Sequence, residues 1–259
     1  MAKRPRQGKL YLVGLGPGEA AHLTAGALAA LRECDTVVGY RRYIQQAGDL
    51  LSGKELISME LGQEMERASV AVELACAGHV VGVVSSGDAG IYGMAGPVFQ
   101  VLTGMDWDGV NPQVETLPGV SAMQAAAALL GAPLMQDFCA ISLSDLLTPW
   151  EAISRRWEAA AKGDFVIVLY NPRSRGRHRQ LLEARRILLE HRSEHTPVGI
   201  VQDAFRPGQK VTITDLEHLV EHAEAIDMVT TVVIGNSTTY FLSGYMATPR
   251  GYAKEEPPA

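Results

Sequence analysis

The sequence has 259 residues, which is enough for one large domain or two smaller ones with a buried core. An apolar fraction of 47% and a charged fraction of 20% are typical of a globular chain and argue against disorder. The formal net charge of −6 gives no general reason to expect a nucleic acid or an anionic membrane as a partner.

The first half of the chain alternates short apolar runs with segments of helical periodicity. Lys9–Val13 and Thr36–Val38 are predicted strands, and the β-branched run Val80–Val84 predicts a strand covered on both faces. Thr24 is a candidate N-cap for the helix after the first strand, and residues 64–77 predict a second helix. This alternation favours an α/β fold with a mostly parallel sheet.

An alanine-rich segment, residues 121–130, predicts a tightly packed helix between two α/β sets. Beyond residues 150–161 a second α/β set begins, and a helix is predicted at residues 179–190. The predicted strands of the second set are Phe165–Tyr170, Val198–Val201, Val211–Thr214 and Met228–Ile234.

The domain organisation follows from these two sets. We predict an N-terminal α/β domain over residues 1–118 and a C-terminal α/β domain over residues 119–246. Residues 247–259 are rich in Pro, Gly and Glu and are predicted to form a flexible tail.

The turn Gly14–Gly18 closes the first predicted strand with clustered glycines. Glycine has no Cβ, so backbone in such a turn can approach a ligand closely. The pattern is close to a dinucleotide fingerprint, but Glu19 stands where that motif needs a small residue, and its carboxylate would oppose a pyrophosphate. A tight turn without a ligand remains the alternative.

The segment Ser85–Met94 follows the strand Val80–Val84, at the sheet edge where parallel folds bind their ligands. Asp88 could accept hydrogen bonds from an amine or a ribose, and Tyr92 could stack or donate. The alternative is that Asp88 caps a helix beginning near Ile91 or Tyr92. Glycines on both sides of Asp88 favour a ligand-binding loop.

Two shorter segments also follow predicted strands or open predicted helices. Ser121 in Pro118–Ala122 is an N-cap candidate, and a helix that opens beside a ligand would present free amides to it. Gly235–Tyr240 directly follows an apolar strand.

Residues 169–179 contain four arginines and a histidine after a strand. A solvated basic loop is the simple interpretation. In an acidic chain, however, such a cluster could bind a polycarboxylate, because arginine pairs bidentately with carboxylates. Arg41 and Arg42 form a smaller basic patch after the second strand.

Several classes of site lack support. Cys34, Cys76 and Cys139 are widely spaced, which argues for reduced thiols and against a zinc site or a disulfide framework. The chain has no phosphate-binding GxxxxGK[ST] loop, no GxSxG elbow and no HExxH, and metal catalysis is unsupported. Residues 1–9 lack the apolar core of a secretory signal and no run could span a bilayer, so we expect a cytoplasmic protein.

Taken together, the segments resemble the tetrapyrrole methylases, which act on porphyrin and corrin precursors, from about Lys9 to Arg250. Gly14–Gly18 with Leu23–Thr24 matches the amino-terminal motif of that family, and Ser86–Met94 matches its cofactor loop. The resemblance implies a class III methyltransferase fold, with two α/β domains and the cofactor in a cleft between them. It also implies a homodimer, and S-adenosyl-L-methionine as methyl donor with S-adenosyl-L-homocysteine as product.

Three further runs resemble the branch of this family that methylates C17: Ile141–Trp150, Leu169–Ser174 and Gly235–Thr238. This implies methylation of precorrin-3B with ring contraction to precorrin-4 in cobalamin synthesis. One departure is visible, because Gln136 stands where a histidine is expected, and this puts an acid–base role at that position in doubt.

The family match implies a set of cofactor-binding residues, which contribute partly through their backbone. The acid and base for ring contraction are not identified, although Ser142, Ser144 and Asp145 are candidates whose run could equally be structural. Arg41, Arg173, Arg175 and Arg177 are the hypothesis for binding the acetate and propionate groups of the macrocycle. The expected cofactor residues are Pro17, Gly87, Asp88, Ile91, Tyr92, Ser121, Ala122, Tyr170, Asn171, Asn236 and Thr238.

Alternatives remain at this stage. Another C-methyltransferase of the corrin pathway, or the anaerobic counterpart that acts on a cobalt-containing precursor, would share these motifs. A non-catalytic protein that binds an adenosine ligand, or an NAD-dependent enzyme with similar glycines, belongs to a different class.

Overall fold

The computed structural model describes residues 7–174 and 176–252, and the chain divides into two compact units. The first unit ends at Ala122 and the second begins at Met123. This division lies four residues beyond the boundary predicted from the sequence, because the backbone N–H of Gly119 is held by the Asp88 side chain of the first unit. The α/β fold class is confirmed.

The first unit contains one five-stranded sheet whose strands are all parallel, in the order β3-β2-β4-β1-β5. Its strands are β1 (Lys9–Gly14), β2 (Thr36–Tyr40), β3 (Glu55–Met59), β4 (Val80–Ser85) and β5 (Gln113–Leu117). Its helices are α1 (Ala25–Glu33), α2 (Arg41–Ala47), α3 (Glu64–Cys76) and α4 (Ala95–Gly104), with short 3₁₀ turns at Ala20–His22 and Gly48–Leu51.

Helices cover both faces of this sheet, which explains its continuous apolar strands. Leu10 and Leu12 of β1 pack with α3 and α4 on one face, and Tyr11 and Val13 pack with α1 and α2 on the other. All six residues of β4 are buried. The predicted cap of α1 is confirmed, because the Thr24 side chain accepts a hydrogen bond from the Ala27 N–H.

The second unit contains a five-stranded mixed sheet in the order β10-β9-β11-β8-β7. Its strands are β7 (Phe138–Ser142), β8 (Val166–Tyr170), β9 (Pro197–Gln202), β10 (Lys210–Asp215) and β11 (Thr230–Ile234). Its helices are α5 (Ala122–Leu130), which begins at the last residue of the first unit, α6 (Trp150–Lys162) and α7 (Arg179–Leu189), with a 3₁₀ turn at His218–His222.

This sheet departs from a parallel arrangement. β7 and β8 are parallel, whereas β11 runs antiparallel to both β8 and β9, and β10 runs antiparallel to β9. The cause lies in the connections: a short loop joins β9 to β10, and a 3₁₀ turn instead of a long crossover helix precedes β11.

A small three-stranded sheet, β12-β13-β6, brings the end of the chain back onto the second unit. Its strands are β6 (Gly131–Ala132), β12 (Tyr240–Leu242) and β13 (Tyr245–Ala247). Thr248 is 1% exposed and its hydroxyl bonds to that of Thr239 at 2.8 Å. Ala247 and Thr248 therefore belong to the fold and not to the predicted tail, of which residues 253–259 lie outside the described residues.

The elements missed by the sequence patterns are short or partly exposed. β3 and β5 are edge strands with exposed residues, so they lack a continuous apolar run. The helix predicted to begin near Ile91 begins at Ala95. Within the described residues, no helix is both long and apolar enough to cross a membrane.

Trp157 is the largest fully buried side chain of the second unit, and its Nε1 donates to the Ala184 carbonyl at 2.6 Å. We expect Trp157→Phe to destabilise this unit by about 2 kcal/mol, because it leaves a cavity and removes the buried hydrogen bond of the indole N–H. Urea unfolding followed by circular dichroism measures this. Trp150→Phe, at a partly buried position, is the control, and equal unfolding midpoints for the two variants would contradict the assigned packing.

Candidate functional site

The loops that follow β1, β4 and β5 meet at three glycines in the first unit. A Cβ added at Gly119 would lie 2.1 Å from the carbonyl oxygen of Gly87, and one added at Gly14 would lie 2.6 Å from the same oxygen. Real Cβ atoms do not approach backbone this closely. Gly14 and Gly119 are therefore required for the loops to meet.

Backbone hydrogen bonds join the first two of these loops. The N–H of Gly16 donates to the Gly87 carbonyl at 3.0 Å, and the N–H of Gly87 donates to the Gly16 carbonyl at 2.8 Å. Both glycines have positive φ angles, +70° and +65°, which residues with a Cβ rarely adopt. The predicted motif Gly14–Gly18 and the predicted loop Ser85–Met94 are thus one paired structure.

The Asp88 carboxylate joins this pair to the third loop. Its Oδ1 accepts from the Gly90 N–H at 2.8 Å, and its Oδ2 accepts from the Gly119 N–H at 2.9 Å. The alternative that Asp88 caps the next helix is wrong, because the N-cap of α4 is Met94. Each carboxylate oxygen therefore stabilises the loop cluster itself.

The other expected cofactor residues of the first unit lie around this cluster. A Cβ at Gly87 would contact Ser121 and Ala122 at 3.5 Å, so these residues are direct neighbours. Ser121 is 1% exposed, whereas Tyr92 is 57% exposed and has a φ angle of +53°. Pro17 is buried directly after Gly16, and Ile91 is half-buried.

A cavity of about 350 Å³ opens beside the turn Gly14–Gly18. Leu15, Leu23 and Ala47 contribute apolar surface to it, and Glu19 lies on its wall. Glu19, the residue that argued against a pyrophosphate site, therefore borders a largely apolar space.

Arg67 supports the end of the loop Ser85–Met94 and was missed by the sequence analysis. It is 3% exposed, its Nη2 donates to the Glu60 carbonyl at 2.7 Å, and its Nη1 contacts the Met94 sulfur at 3.2 Å. Burial lowers the pKa of its guanidinium. The available signal was its position on the apolar face of α3, next to Ala68 and one turn before Ala71.

In the second unit, the expected cofactor residues Tyr170 and Asn171 lie at the end of β8. The Tyr170 hydroxyl accepts from the Met123 N–H at 3.1 Å, in the first turn of α5. Asn171 has a left-handed φ angle of +49°, and its Nδ2 donates to the Ser142 hydroxyl at 2.9 Å.

Two of the weak acid–base candidates, Ser142 and Ser144, share hydrogen bonds beside Asn171, and the third, Asp145, is bonded elsewhere. The Ser144 N–H donates to the Ser142 hydroxyl at 3.2 Å, and the Asp145 carboxylate accepts from Gln180 Nε2 at 2.6 Å. The structure brings these three residues to the same sheet edge as Asn171. Their catalytic role remains a prediction.

Asn236 and Thr238 lie at the end of this sheet opposite to Tyr170 and Asn171, and their expected role in cofactor binding stays a prediction. Because β11 is antiparallel to β8, Ile234 at its end pairs with Ile167 near the start of β8. The whole of β8 separates the two ends, about 13 Å at the rise of a strand. The neighbouring Ser237 accordingly bonds to Asp164, before β8, at 2.5 Å.

Asn236 is bonded within its own turn. It is 7% exposed, and its Oδ1 accepts from the Thr238 N–H at 3.1 Å and from the Thr239 hydroxyl at the same distance. Arg192 donates to the carbonyls of Gly235 at 2.5 Å and Phe165 at 2.6 Å, which joins this turn to the start of β8. These contacts favour a structural role.

The segment Asp203–Phe205 was not predicted and occupies the edge where Asn171 lies. Gln202, at the end of β9, pairs with Thr230 at the start of β11. Val232 pairs with Leu169, so two residues earlier in β11 the same register places Thr230 beside Asn171. Asp203 and Phe205 both have positive φ angles, +43° and +55°. Residues other than glycine with positive φ angles are concentrated at functional sites. No periodicity in the sequence indicates that Asp203 and Phe205 adopt this conformation.

The four arginines expected to bind substrate have different environments. Arg41 is 59% exposed at the start of α2 and forms an ion pair with Glu60. Arg173 is half-buried, and its guanidinium donates to the Ala223 carbonyl at 2.5 Å and to His178 Nδ1 at 2.9 Å. Arg175 lies outside the described residues.

Arg177 does not fit the expected exposed cluster. It is 8% exposed, its Nη2 donates to the Asn171 carbonyl at 2.8 Å, and its Nη1 contacts the Ser144 hydroxyl at 3.4 Å. Burial lowers the pKa of this guanidinium, and the nearby Asp145 raises it. These bonds to its own chain favour a structural role for Arg177, and its binding of a substrate carboxylate stays a prediction.

Gln136, where a histidine was expected, also has an internal contact. Its Nε2 donates to the Pro249 carbonyl at 2.8 Å, which fixes the end of the described chain near β7. The three cysteines are free, and burial raises the pKa of Cys34 to about 11, so its thiol stays protonated at neutral pH.

Two groups of carboxylates and histidines lie on the surface of the second unit. Glu194, His195 and Glu217 form the first group, and Asp215, Glu217 and His218 form the second. They are largely exposed, and such groups are common without an ion, so no metal site is assigned to them.

A model of the family described as Tetrapyrrole (Corrin/Porphyrin) Methylases matches residues 9–220, and the resemblance seen in the sequence is confirmed. A cobalt-factor III methyltransferase of Priestia megaterium is 48% identical over 96% of the chain, but the chain spans about half, 46%, of that relative. A probable cobalt-factor III C(17)-methyltransferase of Salmonella typhimurium is 47% identical over 94% of the chain and 99% of the relative.

A precorrin-3B C(17)-methyltransferase of Sinorhizobium is 38% identical over 95% of the chain and 98% of the relative. The crystal structure of the methyltransferase CobJ matches with a TM-score of 0.88 and 37% identity, over 93% of the chain and 100% of that structure. A uroporphyrin-III C-methyltransferase of Thermus thermophilus complexed with S-adenosylhomocysteine has a TM-score of 0.67 at 23% identity, over 97% of the chain and 98% of that structure, which shows a shared fold.

The close approach of Gly119 to Gly87 predicts a specific intolerance to added volume. Gly119→Ala should lower the free energy of unfolding of the first unit by about 3 kcal/mol or more, because the new Cβ meets backbone that cannot move aside cheaply. Thermal unfolding measures this change.

Gly96→Ala is the matched control. A Cβ at Gly96, in α4, meets nothing within 4 Å, so alanine should raise stability by about 0.5 kcal/mol through its helix propensity. A Gly119→Ala protein as stable as Gly96→Ala would contradict the loop geometry.

Proposed function

The chain belongs to the tetrapyrrole (corrin/porphyrin) methylases, and we propose that it methylates C17 of a corrin precursor in cobalamin biosynthesis with S-adenosyl-L-methionine as donor. The observation that carries this proposal is the near full-length similarity to a probable C17-methyltransferase. The methyl group moves from the donor sulfur to C17, and S-adenosyl-L-homocysteine leaves.

The paired loops of the first unit fit such a donor. They present small residues, the exposed ring of Tyr92 and backbone that a ligand can approach, which suit a flat base and a ribose. The proposed cofactor contacts in this unit are the residues expected from the sequence: Pro17, Gly87, Asp88, Ile91, Tyr92, Ser121 and Ala122. In the second unit, Tyr170 and Asn171 are proposed, and the internal bonds of Asn236 argue against it and Thr238.

Orientation is the main task of the protein in this chemistry. Methyl transfer from a sulfonium is an in-line displacement, so no side-chain nucleophile is needed, and holding donor and acceptor in line lowers the barrier. The hydrogen bonds of Asp88 and the glycine pairing fix the loops before any ligand arrives. Ser142, Ser144 and Asp145 remain proposed sites for the proton transfers that ring contraction needs.

Two substrates fit this activity. Precorrin-3B, contracted to precorrin-4, follows from the sequence resemblance. Cobalt-factor III is the second candidate, because two relatives named for it are 47% and 48% identical to this chain, against 38% for the precorrin-3B enzyme. We favour the cobalt-containing precursor on this difference.

The test is incubation of the purified chain with S-adenosyl-L-methionine and each precursor separately. We expect one added methyl group by mass spectrometry and a changed absorbance spectrum from ring contraction, faster with cobalt-factor III. Binding of S-adenosyl-L-homocysteine without methyl transfer to either precursor would favour a non-catalytic adenosine binder. Binding of NAD alone would contradict the methylase proposal altogether.

Arg41 and Arg173 are proposed to bind carboxylates of the substrate, with Arg175 as a further candidate. Arg173→Ala should raise the KM for the corrin precursor about tenfold and leave the affinity for S-adenosyl-L-homocysteine unchanged, because a charge-assisted hydrogen bond contributes on the order of 1.5 kcal/mol. Steady-state kinetics and calorimetry measure the two quantities. Arg156→Ala on α6 is the control, and an unaltered KM in Arg173→Ala would refute the assignment.

We further propose a cytoplasmic homodimer with no nucleic-acid or membrane partner. The family resemblance supports the dimer, and the net charge of −6 supports the absence of an anionic partner. Light scattering coupled to size-exclusion chromatography tests the dimer, which a monomeric mass at micromolar concentration would contradict.

A further inference from the structure

We propose that Arg177 is a positioning residue that holds Asn171 in its left-handed conformation and joins it to the run Ser142–Ser144. The inference rests on the proposed function, because it assigns to Arg177 the geometry of the backbone that the methyl donor is proposed to contact. It replaces the expectation that Arg177 binds a substrate carboxylate.

Arg177 joins separate segments through one side chain. Its Nη2 donates to the Asn171 carbonyl at 2.8 Å and lies 3.7 Å from the Met228 sulfur, before β11. Its Nη1 reaches the Ser144 hydroxyl, after β7, at 3.4 Å. One guanidinium therefore contacts three loops at the same edge of the sheet: those after β7 and β8, and the one before β11.

The backbone of Arg177 closes the turn that brings the side chain back. Its N–H donates to the Ser174 carbonyl at 3.1 Å, and the Ser174 N–H donates to the Arg177 carbonyl at 3.2 Å. Because this pairing folds the chain over its own loop, the guanidinium reaches Asn171, which lies six residues earlier.

Asn171 needs such support. A residue other than glycine at a φ angle of +49° is strained by on the order of 1 kcal/mol, although asparagine tolerates this region better than most. Two contacts oppose relaxation: the bond from its Nδ2 to Ser142 and the bond from Arg177 to its carbonyl. Loss of the second would free the peptide after Asn171 to rotate.

The burial and the hydrogen bonds of Arg177 favour its occupation by its own chain. It is 8% exposed, and no carboxylate of the described residues forms an ion pair with it. Its Nε has no hydrogen-bond partner within the described part of the chain and is buried. Because Arg177 is buried as well as bonded to a carbonyl and a hydroxyl of its own loops, it presents less of its guanidinium to a substrate carboxylate than the half-buried Arg173 does.

The test measures S-adenosyl-L-homocysteine binding by calorimetry in the full chain, with Arg177→Lys as the main variant. Lysine keeps the charge but loses the planar fork that reaches two loops at once. We expect the Kd to rise about tenfold, with kcat reduced and the KM for the corrin precursor little changed. Arg156→Lys, exposed on α6, is the matched control and should bind like the unmodified protein.

Chemical rescue separates positioning from general stability. In Arg177→Ala, millimolar guanidinium should restore much of the lost affinity for S-adenosyl-L-homocysteine, whereas it should leave the unmodified protein and Arg156→Lys unchanged. If the alanine variant fails to fold, as circular dichroism would show, the lysine variant alone decides the outcome.

The outcomes are distinct. No binding of S-adenosyl-L-homocysteine by the unmodified protein would overturn the proposed function and the inference with it. Binding by the unmodified protein with an unchanged Kd in Arg177→Lys would overturn the inference alone. A raised substrate KM with an unchanged Kd would also overturn it and return Arg177 to the carboxylate-binding set.

Discussion

The first unit depends on a close approach of backbone that leaves no room for a Cβ. The loops after β1, β4 and β5 meet at Gly14, Gly87 and Gly119, with the Gly87 carbonyl at the centre. Asp88 then satisfies the N–H groups of two of these loops with one carboxylate. The architecture of the parallel sheet places the loops at the same edge, and the glycines let them pair.

Buried arginines have a comparable function in both units. Arg67, Arg177 and Arg192 are each less than one-tenth exposed, and each donates to backbone carbonyls in place of a carboxylate. A guanidinium has five N–H groups in a fixed plane, so it can satisfy carbonyls from several loops at once. Burying these charges is costly, and the arrangement yields loops whose conformation is set before a ligand binds.

Much of the architecture could be predicted from the sequence because local signals agree with it. The β-branched run of β4, the Thr24 cap and the glycine motif each carry their own physical cause, and the structure confirms those elements. The edge strands β3 and β5 could not be predicted, because a strand with one partner and exposed residues shows no periodic apolar face.

The parts of the site that escaped prediction depend on strand direction and on long-range bonds. The family match grouped Asn236 with Asn171 as cofactor-binding residues, but the antiparallel β11 places them at opposite ends of the sheet. Arg177 looked exposed within a basic run, and nothing local shows that the chain folds back to bury it. Direction and burial are properties of the assembled sheet, so single segments do not encode them.

The central position of β1 has a consequence for how the chain is made. Its two partners, β4 and β5, lie far downstream, and Lys9 pairs with both Val80 and Gln113. At about 5–20 residues per second, a ribosome needs on the order of ten seconds to extend the chain from the first strand to the last of these partners. β1 has no partner strand until β4 emerges, and one of its edges stays unpaired until β5 emerges, so the nascent chain exposes an apolar strand edge during much of that interval.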